Sequence, residues 1–498
     1  MSGVPSDRIR QINERPVRPE GRHVVYWMTA ARRLEWNFGL DRAVERALEL
    51  DRPLIVLEEL THAQPWASPR RHRFALDGMR EHARRLAGGP VAYHPYVEPV
   101  AGAGEGLLEA LAADACLVVA DDHPLLGLPE HLADVGARLP VLLEAIDSNG
   151  LLPMRGAGRD FTAAVHFRRH LHKQLAPHLV QFPQARPLDT AALRPASSLP
   201  SLVLERWPEA STELLAGEPE ALRRLRLPID AEPVDLRGGR EAARTRLDTF
   251  LATQLSRYGD DRNHPDHDAA SGLSPYLHWG HISVHEIFAR LAEQERWSPV
   301  RLSGLVTAKR EGWWGMSAAA ESFLDELVTW RELGFNFAVE HPHDVDRWSS
   351  LPEWARHTLD EHAADPRPRL YSLDDLDGAG TDDPIWNAAQ RQLRREGRIH
   401  NYLRMLWGKR TLEWTPHPEQ ALHMMIDLNN RYALDGCDPN SYSGIFWVLG
   451  RFDRAWKERP IYGKVRYMSS DATRRKLQLK KYLREFGRSA SSPEGRGL

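Results

Sequence analysis

Five short apolar runs mark the first third of the chain, at residues 23–28, 53–58, 91–96, 116–120 and 141–146. Between them apolar positions recur at helical spacing, over 40–50, 71–86 and 107–112. Strands that alternate with helices are joined by right-handed crossovers, so the pattern predicts a doubly wound, Rossmann-like parallel sheet. The texture then changes. Pro183, Pro187, Pro195, Pro200, Pro208, Pro219, Pro228 and Pro233 interrupt residues 182–237 and predict a long connector holding only short helices. Beyond it the period is helical. Leu247, Phe250, Leu251 and Leu255 share one face of 240–258, and Phe323, Leu324, Leu327, Trp330, Leu333 and Phe337 recur through 321–337. The domain reading is an arm at 1–20, an α/β domain at 21–180, a connector at 181–239, an all-α domain at 240–488 and a flexible tail at 489–498.

Composition narrows the classes. A net charge of −3 gives no global pull toward nucleic acid or membrane, so any nucleic-acid surface must be local. Such a surface is offered after residue 460, where Lys464, Arg466, Arg474, Arg475, Lys476, Lys480, Lys481 and Arg484 face only Asp471 and Glu485. The two cysteines, Cys116 and Cys437, have no metal-type spacing and fit a reduced compartment. No secretory h-region opens the chain, and no apolar run nears the ~20 residues of a membrane span. A cytoplasmic, soluble protein is expected.

Several stretches carry candidate chemistry. Gly102, Gly104 and Gly106 precede a helix but lack the strand-then-GxGxxG context of a dinucleotide site, which favours a flexible loop. Ser271, Gly272, Leu273 and Ser274 lead into Pro275, with Ser274 placed as an N-cap; this is either an anion cradle or plain capping. His278, His281 and His285 are read as continuing that helix, solvated or capping, and no metal is assigned to them. Glu326 and Trp330 lie four apart on one helical face. Residues 397–447 are the densest stretch. Arg404, Met405 and Trp407 run along one helix, with Trp414 about two turns, ~10 Å, beyond Trp407. Asn429 follows, then an acidic Gly/Pro loop from Asp435 to Asn440, then an aromatic, hairpin-like segment ending at Trp447.

These stretches, with Trp386-Asn387-Ala388-Ala389-Gln390 and Asp453-Arg454-Ala455-Trp456-Lys457, resemble in order and spacing the photolyase/cryptochrome family, most closely its class II cyclobutane pyrimidine dimer photolyases. The resemblance implies light-driven DNA repair by FAD in its reduced anionic form. It places Tyr258, Ser271, Gly272, Leu273, Ser274, Arg331 and Asn401 at the cofactor. Arg404 and Asp435 match its ion pair beside the flavin ring, and Asn429 the asparagine near flavin N5. Glu326 matches the acid that meets the dimer, raised toward neutral protonation so that it can donate to a thymine carbonyl. Trp330, Met405 and Trp447 match the walls of the dimer pocket. Trp407, Trp386 and Trp414, in that order outward from the flavin, match an electron relay to the surface. Tyr402, Arg454, Lys464 and Arg466 match DNA contacts. An antenna chromophore in the sheet domain is also implied, as a deazaflavin, a folate or another flavin. Damaged DNA is the partner, with no obligate protein partner and a monomeric state. The alternative within the family is a cryptochrome-like flavin photoreceptor without repair activity; the short Ser/Gly tail after Phe486 and the dimer-pocket residues favour repair.

Overall fold

The computed structural model describes residues 3–62, 66–189, 192–196 and 199–487; the tail at 489–498 lies outside the described residues. A six-stranded sheet forms in the order β1 (Ile9–Gln11), β6 (Leu143–Ile146), β5 (Ala115–Asp121), β2 (His23–Met28), β3 (Leu54–Leu60), β4 (Ala92–Val97). Strands β2 to β6 pair in parallel, and helices cover both faces. That is why β2 and β5 read as unbroken apolar runs: every residue of each is buried. The Phe38–Leu50 helix begins where the Asn37 side chain accepts from the N–H groups of Gly39 and Leu40, and ends at left-handed Asp51.

Several expectations are corrected. Residues 3–20 are not a separate arm, because β1 adds an antiparallel edge to β6 through Ile9 opposite Ile146. The helix Leu128–Arg138 went unread between two strands. The 240–258 helix is broken: α-helical over Arg240–Thr249, it widens to a π turn at Phe250–Gln254 and then tightens. The histidines do not share a helix. One ends at His278, Gly280 turns at φ 71°, and another runs Val284–Gln294. Nor are they solvated: His281 and His285 are fully buried, and His281 Nδ1 accepts from the N–H of Gly239 at 2.9 Å.

Between β2 and β5 the strand order reverses, the place where doubly wound sheets take ligands. Here the Asp121 carboxylate fills it, accepting from the N–H groups of Thr29, Ala30 and Ala31 at 2.8–2.9 Å and from the Tyr26 hydroxyl at 2.7 Å. The glycine cluster is a turn: Gly104 N–H donates to Glu98, and Gly106 starts the Leu107–Ala112 helix at φ 86°.

The connector carries short helices at Ser201–Arg206, Thr212–Leu215 and Pro219–Arg224, and the chain from Arg240 onward is helical. The two faces of the sheet carry hydrophobic clusters of their own, and a third cluster joins the Pro69–Leu86 helix and residues 151–179 to the helical half across a polar seam. Arg168 makes two bonds to Asp325, at 2.8 and 3.0 Å, both side chains buried. Arg70 and Arg71 donate to the carbonyls of Tyr432 and Gly436 at 2.7 and 3.0 Å, and Glu332 accepts from the N–H groups of Leu151 and Leu152. Arg168→Met leaves the Asp325 carboxylate buried without its bidentate partner. It is expected to cost about 3 kcal/mol, read as a fall in the thermal unfolding midpoint.

Candidate active site

Four consecutive helices build the site: Pro384–Glu396, Asn401–Trp414, Pro418–Tyr432 and Pro439–Val448. Asp383 caps the first by accepting from the N–H groups of Ile385 and Trp386, and Gly397 ends it at φ 68° so that the chain turns directly into the second. Asp438 caps the fourth at the N–H of Asn440, with Pro439 in the first turn. The aromatic stretch ending at Trp447 is therefore helical, not hairpin-like. The second helix lies close to its neighbours at Gly408, where a Cβ would stand 2.7 Å from Val448 and 3.0 Å from Met425.

One turn before Gly408, Arg404 donates toward Asp435 at 3.4 Å and Asn429 at 3.5 Å. Asn429 is held from behind, its amide donating to Asn430 at 3.1 Å and to the Ser441 hydroxyl at 3.2 Å. Ser441 in turn donates to the Asp435 carbonyl. Arg404 Nε is buried with no partner of its own, and its two carboxyl and amide contacts are long. A half-buried guanidinium that is only loosely paired leaves donor capacity for a polar, planar group. These residues fit a flavin ring edge.

The same helix carries Trp407 and Trp414, and Trp386 stands between them. Trp386 stacks on Trp407 at 6.1 Å between centroids and 7° between planes, and meets Trp414 edge-on at 5.7 Å. Hydrogen bonds fix the rings: Trp386 Nε1 donates to the Trp407 carbonyl at 2.9 Å, and Trp407 Nε1 to Gln390 at 3.0 Å. Trp386 thus touches both other rings, but Trp414, expected outermost, does not reach the surface. It is 1 % exposed, with the Arg410 guanidinium 4.4 Å over its ring and half-buried Tyr371 edge-on at 5.2 Å.

Glu326 and Trp330 fall in a π turn, Asp325–Trp330, inside the helical run from Ala318 to Glu340; such widened turns collect at functional sites because they re-aim side chains. Glu326 is an ion-paired carboxylate, not the proton-donating acid expected. Its carboxylate pairs with Arg262 at 2.5 Å, and Arg262 lies 5.3 Å over the buried Tyr258 ring. Burial works against the Arg262 cation, yet Glu326 and Tyr258 hold its pKa above the usual guanidinium value. Arg262 was missed in the sequence, where its polar loop carries no periodic signal. Trp330, Met405 and Trp447 are each half-buried, and no ring contact joins Trp330 to Trp447 among the described residues.

The cradle residues are placed differently from the capping expectation. Ser274 is exposed and opens a five-residue helix without capping it, and Pro275 is second, not first. Arg246 instead organises the loop, donating to the carbonyls of Ala270 and Ser271 at 2.5 and 2.6 Å. Gly272, at φ 65°, is required there, since a Cβ would meet Arg246 Nε at 2.6 Å. Leu273 is buried and Asn401 is exposed. Arg331 is committed to the domain seam, donating to the Asn149 carbonyl at 2.6 Å rather than joining Arg404.

Arg466 bonds Asp453 at 2.6 and 3.1 Å and lies over two indoles, Trp456 at 4.1 Å and Trp447 at 5.5 Å. Arg454 covers Trp456 as well, and Lys464 is exposed beside Glu458. Trp456, 37 % exposed, belongs to this basic and aromatic face although it was not singled out in the sequence. Tyr402 joins the face through Lys476, 5.0 Å over its ring. Among the described residues no group of three or more His, Cys, Asp or Glu could hold a metal ion, and no helix is long and apolar enough to cross a membrane.

Comparison with solved structures places this architecture among the photolyases and cryptochromes. A bacterial class III photolyase from Agrobacterium tumefaciens superposes with a TM-score of 0.64 at 19 % identity, over 94 % of this chain and 86 % of that one. A cryptochrome from Synechocystis sp. PCC6803 superposes at 0.67 and 15 %, over 98 % and 89 %. No family model matches the sequence. Curated relatives do. A deoxyribodipyrimidine photo-lyase of Methanothermobacter thermautotrophicus is 35 % identical over 96 % of this chain and 98 % of its own length. That of Oryza sativa subsp. japonica is 34 % identical over 98 % and 92 %. The chain belongs to the deoxyribodipyrimidine photo-lyase family.

Proposed function

We propose that this protein is a class II photolyase that repairs cyclobutane pyrimidine dimers in UV-damaged DNA, using FAD and a tryptophan relay. One observation carries the reading: a loosely paired, partly orphaned Arg404 beside Asn429 and Asp435, one turn before an indole stack that leads away from it. When bound, FAD supplies the light-driven electron that opens the dimer ring. Arg404, Asn429 and Asp435 hold the flavin ring edge, and Tyr258 with residues 271–274 lines its phosphate side. Trp330, Met405 and Trp447 take up the flipped-out dimer, whose poor stacking lowers the cost of extrusion; dimer photolyases are among the base-flipping enzymes. Glu326, paired with Arg262, meets the thymine carbonyl oxygen where negative charge develops, with the Arg262 cation offsetting that charge. The basic and aromatic face around Arg454, Lys464 and Arg466 tracks the DNA backbone. Trp407, Trp386 and Trp414 carry electrons inward for photoreduction. The protein acts in the cytoplasm as a monomer, and an antenna chromophore, if carried, belongs to the sheet domain.

Illumination of the reduced, flavin-loaded protein with a dimer-containing oligonucleotide is expected to remove the dimers; their persistence would refute the repair reading and favour the photoreceptor alternative, which shares the stack. An absorption spectrum of the purified protein identifies flavin and any second chromophore. Glu326→Ala is expected to slow repair ~100-fold, the scale of losing one group that orients charge stabilisation in the transition state, at unchanged flavin content. A parallel loss of flavin would contradict the assigned role. Trp386→Phe is expected to cut the rate of flavin photoreduction by more than ~10-fold, followed as light-dependent bleaching of the oxidised flavin band; this is the effect of replacing the middle ring with one that is harder to oxidise.

A further inference from the structure

Lys409 is a buried charged residue beside the site that the proposed reaction does not use. It is 0 % exposed, on the helix that carries Arg404 and the indole stack. An ammonium has three donors, yet among the described residues the Val448 carbonyl is its one acceptor, and no carboxylate pairs with it. Two features account for its place. Val448 is the last residue of the Pro439–Val448 helix, so the cation faces the negative end of that helix. Its Nζ also lies 5.3 Å over the ring of Trp447, in the same final turn. The backbone beneath is fixed from the other side, with the Tyr462 hydroxyl donating to the Lys409 carbonyl at 2.8 Å.

We propose that Lys409 is a positioning residue for lesion binding: it caps the last turn of the Trp447 helix and holds a cation against the indole, fixing that wall of the pocket from within the protein. This rests on the reading of Trp447 as a wall of the dimer pocket. Burial pushes the ammonium down to about 7; Asp453 opposes that shift and Arg466 adds to it. The charged groups around it are Arg410 and Glu413 on its own helix, and Asp453 and Arg466 on the following loop, with the Tyr462 phenol. The cation is present below about pH 7 and lost as pH rises through it, so the wall is held more firmly on the acid side.

The test uses the flavin-loaded full chain, with an oligonucleotide bearing one dimer and its undamaged counterpart as probes. Lys409→Met keeps the length of the side chain and removes the charge. It is expected to retain flavin absorbance and wild-type affinity for undamaged DNA, to bind the damaged probe about tenfold more weakly at pH 6, and to converge with wild type by pH 8.5. Wild-type affinity at pH 6, with Trp447→Ala weakened, would overturn the role of the lysine alone. Unchanged affinity in Trp447→Ala would overturn the pocket reading and this role with it. Should Lys409→Met not fold, Lys409→Gln and Lys409→Arg labelled with 5-fluorotryptophan decide. The Trp447 fluorine resonance, assigned by its disappearance in Trp447→Phe, is expected to shift in Lys409→Gln and to stay near its wild-type position in Lys409→Arg; an unshifted resonance in Lys409→Gln overturns the proposal.

Discussion

The close approach at Gly408 is the constraint on which the site depends. With Val448 and Met425 within 2.7–3.0 Å of where a Cβ would stand, the Asn401–Trp414 helix is wedged between its two successors. A helix so enclosed cannot keep one apolar stripe and one wet face. Its polar residues must find partners inside the protein, and they do so at fixed heights: Arg404 against Asp435 and Asn429, Lys409 against Val448, Arg410 against Asp383 and Glu413. The indoles fill what remains. A larger residue at 408 would push the helix away from Val448 and with it displace the flavin-facing arginine, the stack and the Trp447 wall together.

The two clusters on this helix differ in how they are satisfied. Trp386 and Trp407 each donate the indole N–H to an acceptor, which fixes ring orientation as well as position. Around Arg404 the contacts are long and one nitrogen has none. Tight closure in one place and spare donors in another separate the part of the molecule that is finished by its own chain from the part that is completed by something bound.

Much of this was legible in the pattern of residues. The alternation of buried strands and helices before residue 150 reports the sheet because both faces of β2 and β5 are covered, leaving no polar alternation to confuse the period. The grouping of Trp407, Trp386 and Trp414 followed from resemblance, and the three rings are in contact through Trp386. What failed was local. The stretch ending at Trp447 looked like a hairpin because its aromatic content outweighed a good cap at Asp438 and Pro439. Ser274 looked like a cap because spacing cannot show that Arg246 already holds the loop. The pairing of Arg262 with Glu326 joins residues sixty-four positions apart in polar sequence, with no periodicity to announce it.

The seam between the halves has a mechanical consequence. It is closed by Arg168 with Asp325, by Arg70 and Arg71 on backbone carbonyls, and by Glu332 on backbone N–H groups. Each of these groups is buried, so sliding one half over the other would strand several of them at once, and each stranded group costs on the order of 1–3 kcal/mol. Thermal energy does not populate such states. The sheet half therefore acts as a stiff backing plate, and the rings on the helical side keep their spacing because what they are bolted to does not bend.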